Sequence, residues 1–261
     1  MTDAYAFDQA GTDERARLAG LEAALDEGTR GHLIRLGARA GARCLEVGAG
    51  AGTVAFWLAE QVAPGGAVVA TDLDTRFLES QAASRPGLVE IRKHDLTADD
   101  LPGGFDLVSA RWFVHWMPNK AQALTRLVGA LRPGGAFLIE EPDFVTLFDT
   151  ADPPALRRVA LAAVEYLEAT FPVEGRYGRR LLDDLGNLGL GDVTAEGRSL
   201  VVRGGSRPTD FIRLTLEKCR AVLLAEQRTT EADFEEATEA LRDPRRSIIM
   251  PMTVAAWGWR P

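Results

Sequence analysis

The chain has few of the residues that build redox pairs, membrane spans and export signals. Its 261 residues include two cysteines, Cys44 and Cys219, which are far apart and form no C-x-x-C pair. Cys44 begins a predicted strand, where a small core residue is expected rather than a redox group. No apolar run approaches the ~18 residues of a transmembrane helix, and residues 1–10 lack the basic and apolar regions of a signal peptide. We therefore expect a cytoplasmic protein that does not associate with membranes.

The chain also has fewer basic residues than acidic residues. The sequence has 30 lysines and arginines against 38 aspartates and glutamates, a formal net charge of -8. Its arginine pairs are scattered at residues 157–158, 179–180 and 245–246, so we expect no nucleic-acid partner. With 46% hydrophobic and 26% charged residues, the composition is that of an ordinary globular protein large enough to fold without disulfides or metals.

The most informative segment that is present runs from Leu45 to Ala55 and reads LEVGAGAGTVA. It predicts a short strand, a glycine loop and the start of a helix. Glycine at alternate positions lets the backbone approach a ligand, because a Cβ would block both the approach and positive φ values. Gly50, Gly52 and Ala55 fit the G-x-G-x-x-G/A dinucleotide pattern, and Asp72 follows at a distance suited to ribose hydroxyls. The loop therefore predicts a nucleotide-type site.

Glu46 and Gly48 favour a cofactor without phosphate. They extend the loop to an E-x-G-x-G-x-G run in which a carboxylate lies at the end of the strand. A carboxylate there repels a pyrophosphate and attracts a cationic ammonium. S-adenosylmethionine carries an ammonium and a sulfonium and has no phosphate.

Strands and helices alternate over the first half of the chain. The strand patterns lie at residues 44–47, 68–72, 88–92, 105–110 and 136–140, and the helix patterns at 14–25, 29–38, 53–62, 75–83 and 119–131. This alternation favours a parallel sheet with helices on both faces and a ligand at the carboxyl ends of the strands.

The alternation ends at Pro142. Residues 143–192 contain helical patterns at 155–169 and 179–188, and we expect this insertion to be a lid over the ligand edge. A strand is predicted at 193–202, helices at 209–226 and 231–241, and a last strand at 247–257. Pro251 inside that last strand requires a bulge or an edge position. No linker is visible, so we expect a single domain over 1–261, with residues 1–40 as an N-terminal helical cap.

In this order the motifs resemble those of class I S-adenosylmethionine-dependent methyltransferases. The segments that carry the resemblance are LEVGAGAG at 45–52, VVATD at 68–72, HDL at 94–96, FDLV at 105–108 and LRPGG at 131–135. Together they cover roughly residues 30–142. The resemblance implies an α/β fold, with a Rossmann-like doubly wound sheet of seven strands. The sheet would be mostly parallel with an antiparallel last strand, and a helical lid would be inserted.

The resemblance also implies which residues bind S-adenosylmethionine. Glu46 would hold the methionine ammonium, and Asp72 would accept from the ribose hydroxyls. Leu73 would pack on adenine, and Asp95 would accept from its exocyclic amine. Arg111 would contact the methionine portion through its backbone, or its side chain would instead pair with a structural carboxylate. The full cofactor set is Glu46, Gly48, Gly50, Gly52, Asp72, Leu73, Asp95, Leu96 and Arg111.

Two residue sets compete for the catalytic role. Methyl transfer requires proximity and alignment, and sometimes a base. His115 is the leading base because its ordinary pKa, near ~6.5, suits neutral pH, and Glu141 is the second catalytic candidate. Alternatively, Glu140, Glu141 and Asp143 form an acid-base set or hold a cationic amine for N-methylation. His32 and His94 are interpreted as a surface and a strand-end histidine without a role.

Four aromatic residues are predicted to line an acceptor pocket, namely Tyr5, Trp112, Phe144 and Tyr166. Residues 110–116 lack the Asn/Asp-Pro-Pro-aromatic box of relatives that act on DNA or glutamine amino groups. They also lack the acidic residue of metal-dependent catechol enzymes, so no metal is expected. We expect a small organic acceptor, such as an aromatic specialised metabolite. The choice of O, N or C atom stays open, as does the oligomeric state, with a homodimer as one alternative.

Two other functions remain open from the sequence. A nicotinamide-dependent oxidoreductase shares the glycine pattern, although Tyr166 and Tyr177 are not followed four residues later by the lysine of short-chain reductases. A cofactor-binding protein on the same fold that transfers no methyl group, such as a scaffold or a cyclase, is the other alternative.

Overall fold

A computed structural model of the protein describes residues 12–261. The chain divides into two compact units. Within the described residues, the first unit comprises 12–25, 142–176 and 198–253, and the second comprises 26–141, 177–197 and 254–261. The prediction of one domain, with a cap at 1–40 and a lid at 143–192, stays a prediction, since both segments contribute residues to each unit.

The described residues form nine strands. They are β1 (Arg43–Val47), β2 (Ala67–Asp72), β3 (Glu90–Lys93), β4 (Phe105–Arg111), β5 (Leu131–Asp143), β6 (Gly191–Arg198), β7 (Val201–Arg203), β8 (Ser247–Ile249) and β9 (Met252–Trp259). Seven of them make one sheet in the order β3-β2-β1-β4-β5-β9-β6. The β1–β2, β1–β4, β2–β3 and β4–β5 pairs are parallel, and the last strand is antiparallel. The predicted fold class is confirmed, and the carboxyl ends of the parallel strands meet at one edge, where ligands bind in such sheets.

Nine α-helices accompany the strands in the described part of the chain. They are α1 (Thr12–Arg35), α2 (Thr53–Val62), α3 (Arg76–Ala82), α4 (Lys120–Gly129), α5 (Val145–Thr150), α6 (Pro154–Thr170), α7 (Leu181–Gly186), α8 (Arg207–Ala225) and α9 (Glu231–Arg242). None is long and apolar enough to cross a bilayer. The prediction of two N-terminal helices was wrong, because α1 continues through Gly28. A helical glycine costs only ~1 kcal/mol, which burial of the following turn at Leu33 offsets.

The sequence misplaced the strands near the carboxyl terminus. The strand predicted at 193–202 is two strands, and β7 pairs with β8 in a separate antiparallel sheet. The strand predicted at 247–257 is likewise divided at Pro251 into β8 and β9. Because proline has no N–H to donate to a ladder, the chain leaves one sheet at this residue and enters the other.

Residues 143–192 are largely helical, as predicted. The pattern at 155–169 is α6, and the pattern at 179–188 is a 3-10 turn, Tyr177–Arg180, followed by the short α7. The six residues of α5 were not predicted, since so short a helix shows little periodicity. In the first unit α6 packs against α5, α8 and α9.

The core of the second unit lies on both faces of the large sheet. Leu45 and Val47 of β1 belong to one buried cluster and Cys44 to the other, because successive strand side chains point to opposite faces. Burial raises the pKa of the Cys44 thiol to about 12, which agrees with its predicted role as a small core residue.

Candidate active site

The glycine loop that follows β1 has a left-handed backbone at three positions. The φ angles of Gly48, Gly50 and Gly52 are 70°, 57° and 84°. A Cβ on Gly48 would collide with the Phe113 ring, and a Cβ on Gly52 would lie 2.6 Å from Leu78 Cδ2. The backbone conformation therefore favours glycine at all three positions, and at Gly48 and Gly52 the lack of space also excludes a side chain.

Asp72, the last residue of β2, ties this loop to the neighbouring strand. Its Oδ2 accepts the backbone N–H of Gly50 at 2.8 Å, and its Oδ1 accepts that of Asp74 at 3.1 Å. Burial raises the pKa of Asp72 to about 6, although these backbone donors act in the opposite direction. Each oxygen has a second lone pair, so the carboxylate can still accept from two hydroxyls.

The predicted adenine-binding residues differ in exposure. Leu73 is 42% exposed, whereas the Leu96 side chain is buried in the core. Asp95 Oδ1 accepts both the backbone N–H of Thr97, at 2.8 Å, and its hydroxyl, at 2.6 Å, and these bonds lower the pKa of Asp95. Asp95 therefore stabilises its own turn, and Leu96 could meet a ligand only through its backbone.

Glu46 and Arg111 bring opposite charges to the carboxyl edge of the sheet. Glu46 is buried on β1. Arg111 Nη1, at the end of β4, donates to Asp26 Oδ1 at 2.9 Å and to Thr29 Oγ1 at 3.0 Å. Burial lowers the pKa of Arg111, but the charges of Asp26, Glu140 and Glu46 outweigh burial and raise it. Of the two roles left open for Arg111, the side chain takes the structural one, with a carboxylate of α1.

His115 and Glu141, the two predicted catalytic residues, form a hydrogen-bonded pair. His115 lies in a 3-10 turn, Val114–Trp116, and its Nδ1 is 2.6 Å from Glu141 Oε2. Glu141 Oε1 also accepts the backbone N–H groups of Phe113, at 3.2 Å, and Val114, at 2.6 Å. Both side chains are buried. Because a carboxylate only accepts, the proton of the neutral imidazole is placed on Nδ1, and Nε2 carries the basic lone pair.

Two indoles flank this imidazole. Trp112 meets His115 edge-on with 6.1 Å between ring centroids, and the Trp116 ring lies at 5.4 Å. Trp112 has a φ of 50°, a left-handed conformation that is costly for a bulky residue and is found most often at functional sites. The backbone N–H of Trp112 donates to the backbone carbonyl of Glu140 at 2.7 Å. Trp112, a predicted acceptor residue, thus lies beside the predicted base.

Two of the other predicted acceptor residues, Phe144 and Tyr166, do not belong to the unit that holds His115. Phe144 and Tyr166 lie in the first unit, where the Phe144 ring stacks on Phe148, and Tyr5 lies outside the described residues. Asp143 also lies there, and its Oδ1 accepts the N–H of Val145 at 3.1 Å. Acceptor binding by Tyr5, Phe144 and Tyr166 stays a prediction.

His32 is not a surface histidine, and that interpretation was wrong. It is 4% exposed, with Nδ1 2.7 Å from Glu140 Oε1 and Nε2 2.7 Å from Glu196 Oε1. Thr29 Oγ1 donates to Glu140 Oε2 at 2.5 Å. The signal that could have found this cluster is the i, i+3 spacing of Asp26, Thr29 and His32, which puts three polar groups on one helix face. No group of His, Cys, Asp and Glu in residues 12–261 has an arrangement that could hold a metal ion.

The residues around the glycine loop fit a cofactor that carries an ammonium and no phosphate. Residues 48–52 supply left-handed backbone but no cationic side chain. The neighbouring strand ends supply carboxylates, from Glu46 on β1 and Asp72 on β2. A diphosphate would be repelled by these charges, whereas an ammonium and a pair of hydroxyls would be bound.

Comparison with known proteins shows similarity to methyltransferases. Residues 45–137 match the family model of a methyltransferase domain. The nocamycin O-methyltransferase of Saccharothrix syringae is 35% identical over 128 residues, which are 47% of this chain and 43% of that protein. A trans-aconitate 2-methyltransferase of Azoarcus sp. (strain BH72) is 30% identical over 163 residues, 60% of each protein. The chain thus spans less than two thirds of either relative.

A solved structure shows the same fold. Phosphoethanolamine N-methyltransferase 2 of Haemonchus contortus, in complex with S-adenosyl-L-methionine, superposes with a TM-score of 0.56 over 90% of this chain and 52% of that one, at 17% identity. The matched domain, the sheet order and the ordered motifs favour a methyltransferase over the nicotinamide-dependent alternative. Residues 45–137 thus carry a methyltransferase domain, and the chain is similar to class I S-adenosylmethionine-dependent methyltransferases.

Proposed function

We propose that this protein transfers a methyl group from S-adenosylmethionine to a hydroxyl oxygen of a small organic acceptor, with His115 as general base. The observation that carries the proposal is the buried 2.6 Å hydrogen bond between His115 Nδ1 and Glu141 Oε2. The methyltransferase match over residues 45–137 supports the reaction class. The similar nocamycin enzyme, which is named an O-methyltransferase, supports oxygen as the acceptor atom.

Four groups of the second unit would hold the cofactor. Glu46 binds the ammonium, and the loop at 48–52 lies along the methionine and ribose. Asp72 accepts from the ribose hydroxyls, and Asp95 from the adenine amine. When bound, the cofactor supplies a methyl group that its sulfonium has already activated for displacement. The protein then has to align the acceptor and remove its proton.

His115 and Glu141 are suited to removing that proton. Nε2 takes the hydroxyl proton as the oxygen gains its methyl group, and the Glu141 carboxylate stabilises the imidazolium that forms. A carboxylic acid or a phosphate is already anionic at neutral pH and needs no base. The His115–Glu141 pair therefore favours a hydroxyl acceptor whose proton is still in place at neutral pH.

The amine-binding alternative has less support from the geometry. Glu140 accepts from Thr29 and lies against His32, and Glu141 accepts from His115 and two backbone amides. Asp143 caps the turn at Val145. Each of the three carboxylates thus has its own hydrogen-bond partners, which disfavours the use of Glu140 and Glu141 together as an anionic site for a cationic amine. The indole faces of Trp112 and Trp116 suit a flat apolar acceptor, such as an aromatic specialised metabolite.

The experiment has a binding step and a transfer step. Calorimetry with S-adenosylmethionine, S-adenosylhomocysteine and NADH is expected to show binding of the two sulfur nucleotides alone. Methyl transfer from labelled cofactor is then measured with phenols and enols, carboxylic acids including trans-aconitate, and amines. Transfer to hydroxyls that His115→Gln slows by about 10²-fold or more supports the proposal. Transfer only to acids or amines, binding without transfer to any acceptor class, or preference for NADH would overturn it.

A further inference from the structure

His32 lies between two carboxylates that come from different strands of the second unit. Its Nδ1 is 2.7 Å from Glu140 Oε1 on β5, and its Nε2 is 2.7 Å from Glu196 Oε1 on β6. A neutral imidazole has one N–H and one lone pair, and an ionised carboxylate can only accept. Both contacts are hydrogen bonds only if both ring nitrogens carry protons. The geometry therefore requires an imidazolium at His32.

The groups around His32 favour the same protonation state. The charged groups that face it are Glu140, Glu196 and Arg35, whose Nη2 is 3.5 Å from Glu196 Oε1. Trp257 of β9 covers the imidazole at 5.4 Å between centroids. The hydrogen bond from His32 and the charge of Arg35 lower the pKa of Glu196, so this carboxyl does not supply the proton. Burial lowers the pKa of His32, but the bonds to Glu140 and Glu196 outweigh burial and raise it.

The same helix also reaches the predicted cofactor site. Asp26 and Thr29 lie six and three residues before His32 on α1, and both accept from Arg111 Nη1. The charges of Glu140 and Glu46 act on that guanidinium. Residues 26, 29 and 32 therefore attach one face of α1 to side chains of β4, β5 and β6.

We propose that His32 is a positioning residue for the cofactor site: its imidazolium holds residues 26–35 of α1 on the carboxyl edge of the sheet, so that Asp26 and Thr29 fix Arg111 near Glu46. The inference rests on the proposed function, since Glu46 is there assigned to the cofactor ammonium. When His32 loses a proton, one hydrogen bond becomes a contact between a lone pair and a carboxylate. Glu140 and Glu196 then lose their shared cation, and the attachment of α1 weakens.

The direction of the pH dependence follows from the raised pKa of His32. A cationic group whose pKa is raised by folding contributes its full stability at pH values below the pKa of the unfolded chain, which is near ~6.5 for histidine. That stability is lost as the pH rises through the pKa of the folded protein. Attachment of α1, and cofactor affinity with it, should therefore decline on the alkaline side of about 6.5.

The protonation state can be measured without any ligand. The chain has three histidines, so His94→Gln and His115→Gln assign all imidazole signals in a long-range ¹H–¹⁵N spectrum of the full chain. Both ring nitrogens of His32 are expected to be protonated at pH 7 and to titrate at a pH above that of a model imidazole. A neutral His32 at pH 7 would overturn the proposal.

Cofactor affinity provides the second readout. The Kd for S-adenosylhomocysteine is measured by calorimetry from pH 6 to pH 9, and wild type is expected to weaken about fivefold or more through the titration of His32. Glu196→Gln keeps a hydrogen-bond acceptor for His32 but removes a negative charge beside it. His32 should then lose its proton at lower pH, so the decline in affinity for S-adenosylhomocysteine should also begin at lower pH. His32→Gln should bind weakly without this pH step, and amide exchange in residues 26–35 should be faster. Glu60→Gln, which breaks an exposed pair with Arg85, is the matched control and should follow wild type.

The outcomes separate the two proposals. The amine of S-adenosylhomocysteine titrates equally in experiments with all variants. Only a difference between variants in the pH dependence of the Kd is therefore assigned to His32. An unchanged pH profile in Glu196→Gln would overturn the positioning role and leave the proposed function standing. No binding of S-adenosylhomocysteine by wild type at any pH would overturn both. If His32→Gln does not fold, Glu196→Gln provides the test of the positioning role. The Glu196 side chain is 45% exposed, so its substitution should leave the protein folded.

Discussion

Glu141 Oε2 lies 2.6 Å from His115 Nδ1, while Glu141 Oε1 accepts the backbone N–H of Val114, the residue just before that histidine. One buried carboxylate thus fixes both the imidazole ring and the turn that carries it. Because Nδ1–H is held in this way, Nε2 is the nitrogen left to exchange a proton with an acceptor. The pair is the basis for the catalytic predictions below.

Replacing His115 by glutamine should reduce turnover without affecting cofactor binding. General-base catalysis contributes about 10²- to 10⁴-fold, and we expect a loss in kcat of that order with hydroxyl acceptors. The measurements are steady-state kinetics and the Kd for S-adenosylhomocysteine. His94→Gln, another buried histidine, should retain wild-type turnover. Full turnover in His115→Gln would mean that another group is the base or that none is needed.

Glu141→Gln should slow the reaction although it preserves shape. An amide can still accept from Val114 N–H, but it no longer compensates the charge of the imidazolium, and its NH₂ group can reverse the imidazole tautomer. We expect kcat to fall by roughly 10²-fold with KM little changed. Glu60→Gln makes the same chemical change at an exposed site and should leave kcat and KM unchanged. Equal kinetics in the two variants would remove Glu141 from the mechanism.

Asp72→Ala should weaken cofactor binding. Loss of charge-assisted hydrogen bonds to the ribose corresponds to about 1–3 kcal/mol, which calorimetry can resolve. In wild type, affinity should also fall as the pH drops below about 6, because the raised pKa of Asp72 allows the carboxylate to be protonated there. Asp74→Ala removes the half-buried partner of the exposed Arg76 side chain and is the neighbouring control. Normal affinity in Asp72→Ala would show that Asp72 does not contact the cofactor.

Gly52→Ala and Gly65→Ala separate backbone strain from crowding. Both glycines have a φ of 84°, so alanine should cost both about 1–2 kcal/mol of folding free energy. A Cβ at Gly65 meets nothing within 4 Å, whereas one at Gly52 lies 2.6 Å from Leu78 Cδ2. We expect Gly52→Ala to lose about 1–3 kcal/mol more in denaturant unfolding and to bind S-adenosylhomocysteine poorly. Equal losses in both variants would contradict the packing at Leu78.

Prediction from the sequence was most accurate where the determinants are local. The helix at Thr53–Val62 was predicted with its observed bounds, since a glycine loop precedes it and a Pro-Gly-Gly turn follows soon after it. The strands at Ala67–Asp72 and Phe105–Arg111 were predicted within one residue at each end, because each is a mainly apolar segment ended by a polar residue. Pro251 was recognised as incompatible with a continuous strand, but not as the point where two sheets separate.

Prediction failed where a residue's environment comes from distant parts of the chain. His32 was interpreted as a surface residue, yet its partners Glu140 and Glu196 lie 108 and 164 residues away in the sequence. The side chain of Arg111 was left undecided for the same reason, since Asp26 is 85 residues away.

The sequence by itself determined the mostly parallel α/β arrangement and the glycine loop, and it predicted the two carboxylates of the cofactor site, because these depend on local periodicity and on residues adjacent in the chain. Only the tertiary structure decided that His115 donates to Glu141, that His32 bridges Glu140 and Glu196, and that Val201–Arg203 leaves the large sheet to pair with Ser247–Ile249. These contacts depend on sheet order and on burial. Both arise from packing between segments far apart in sequence, which no local pattern encodes.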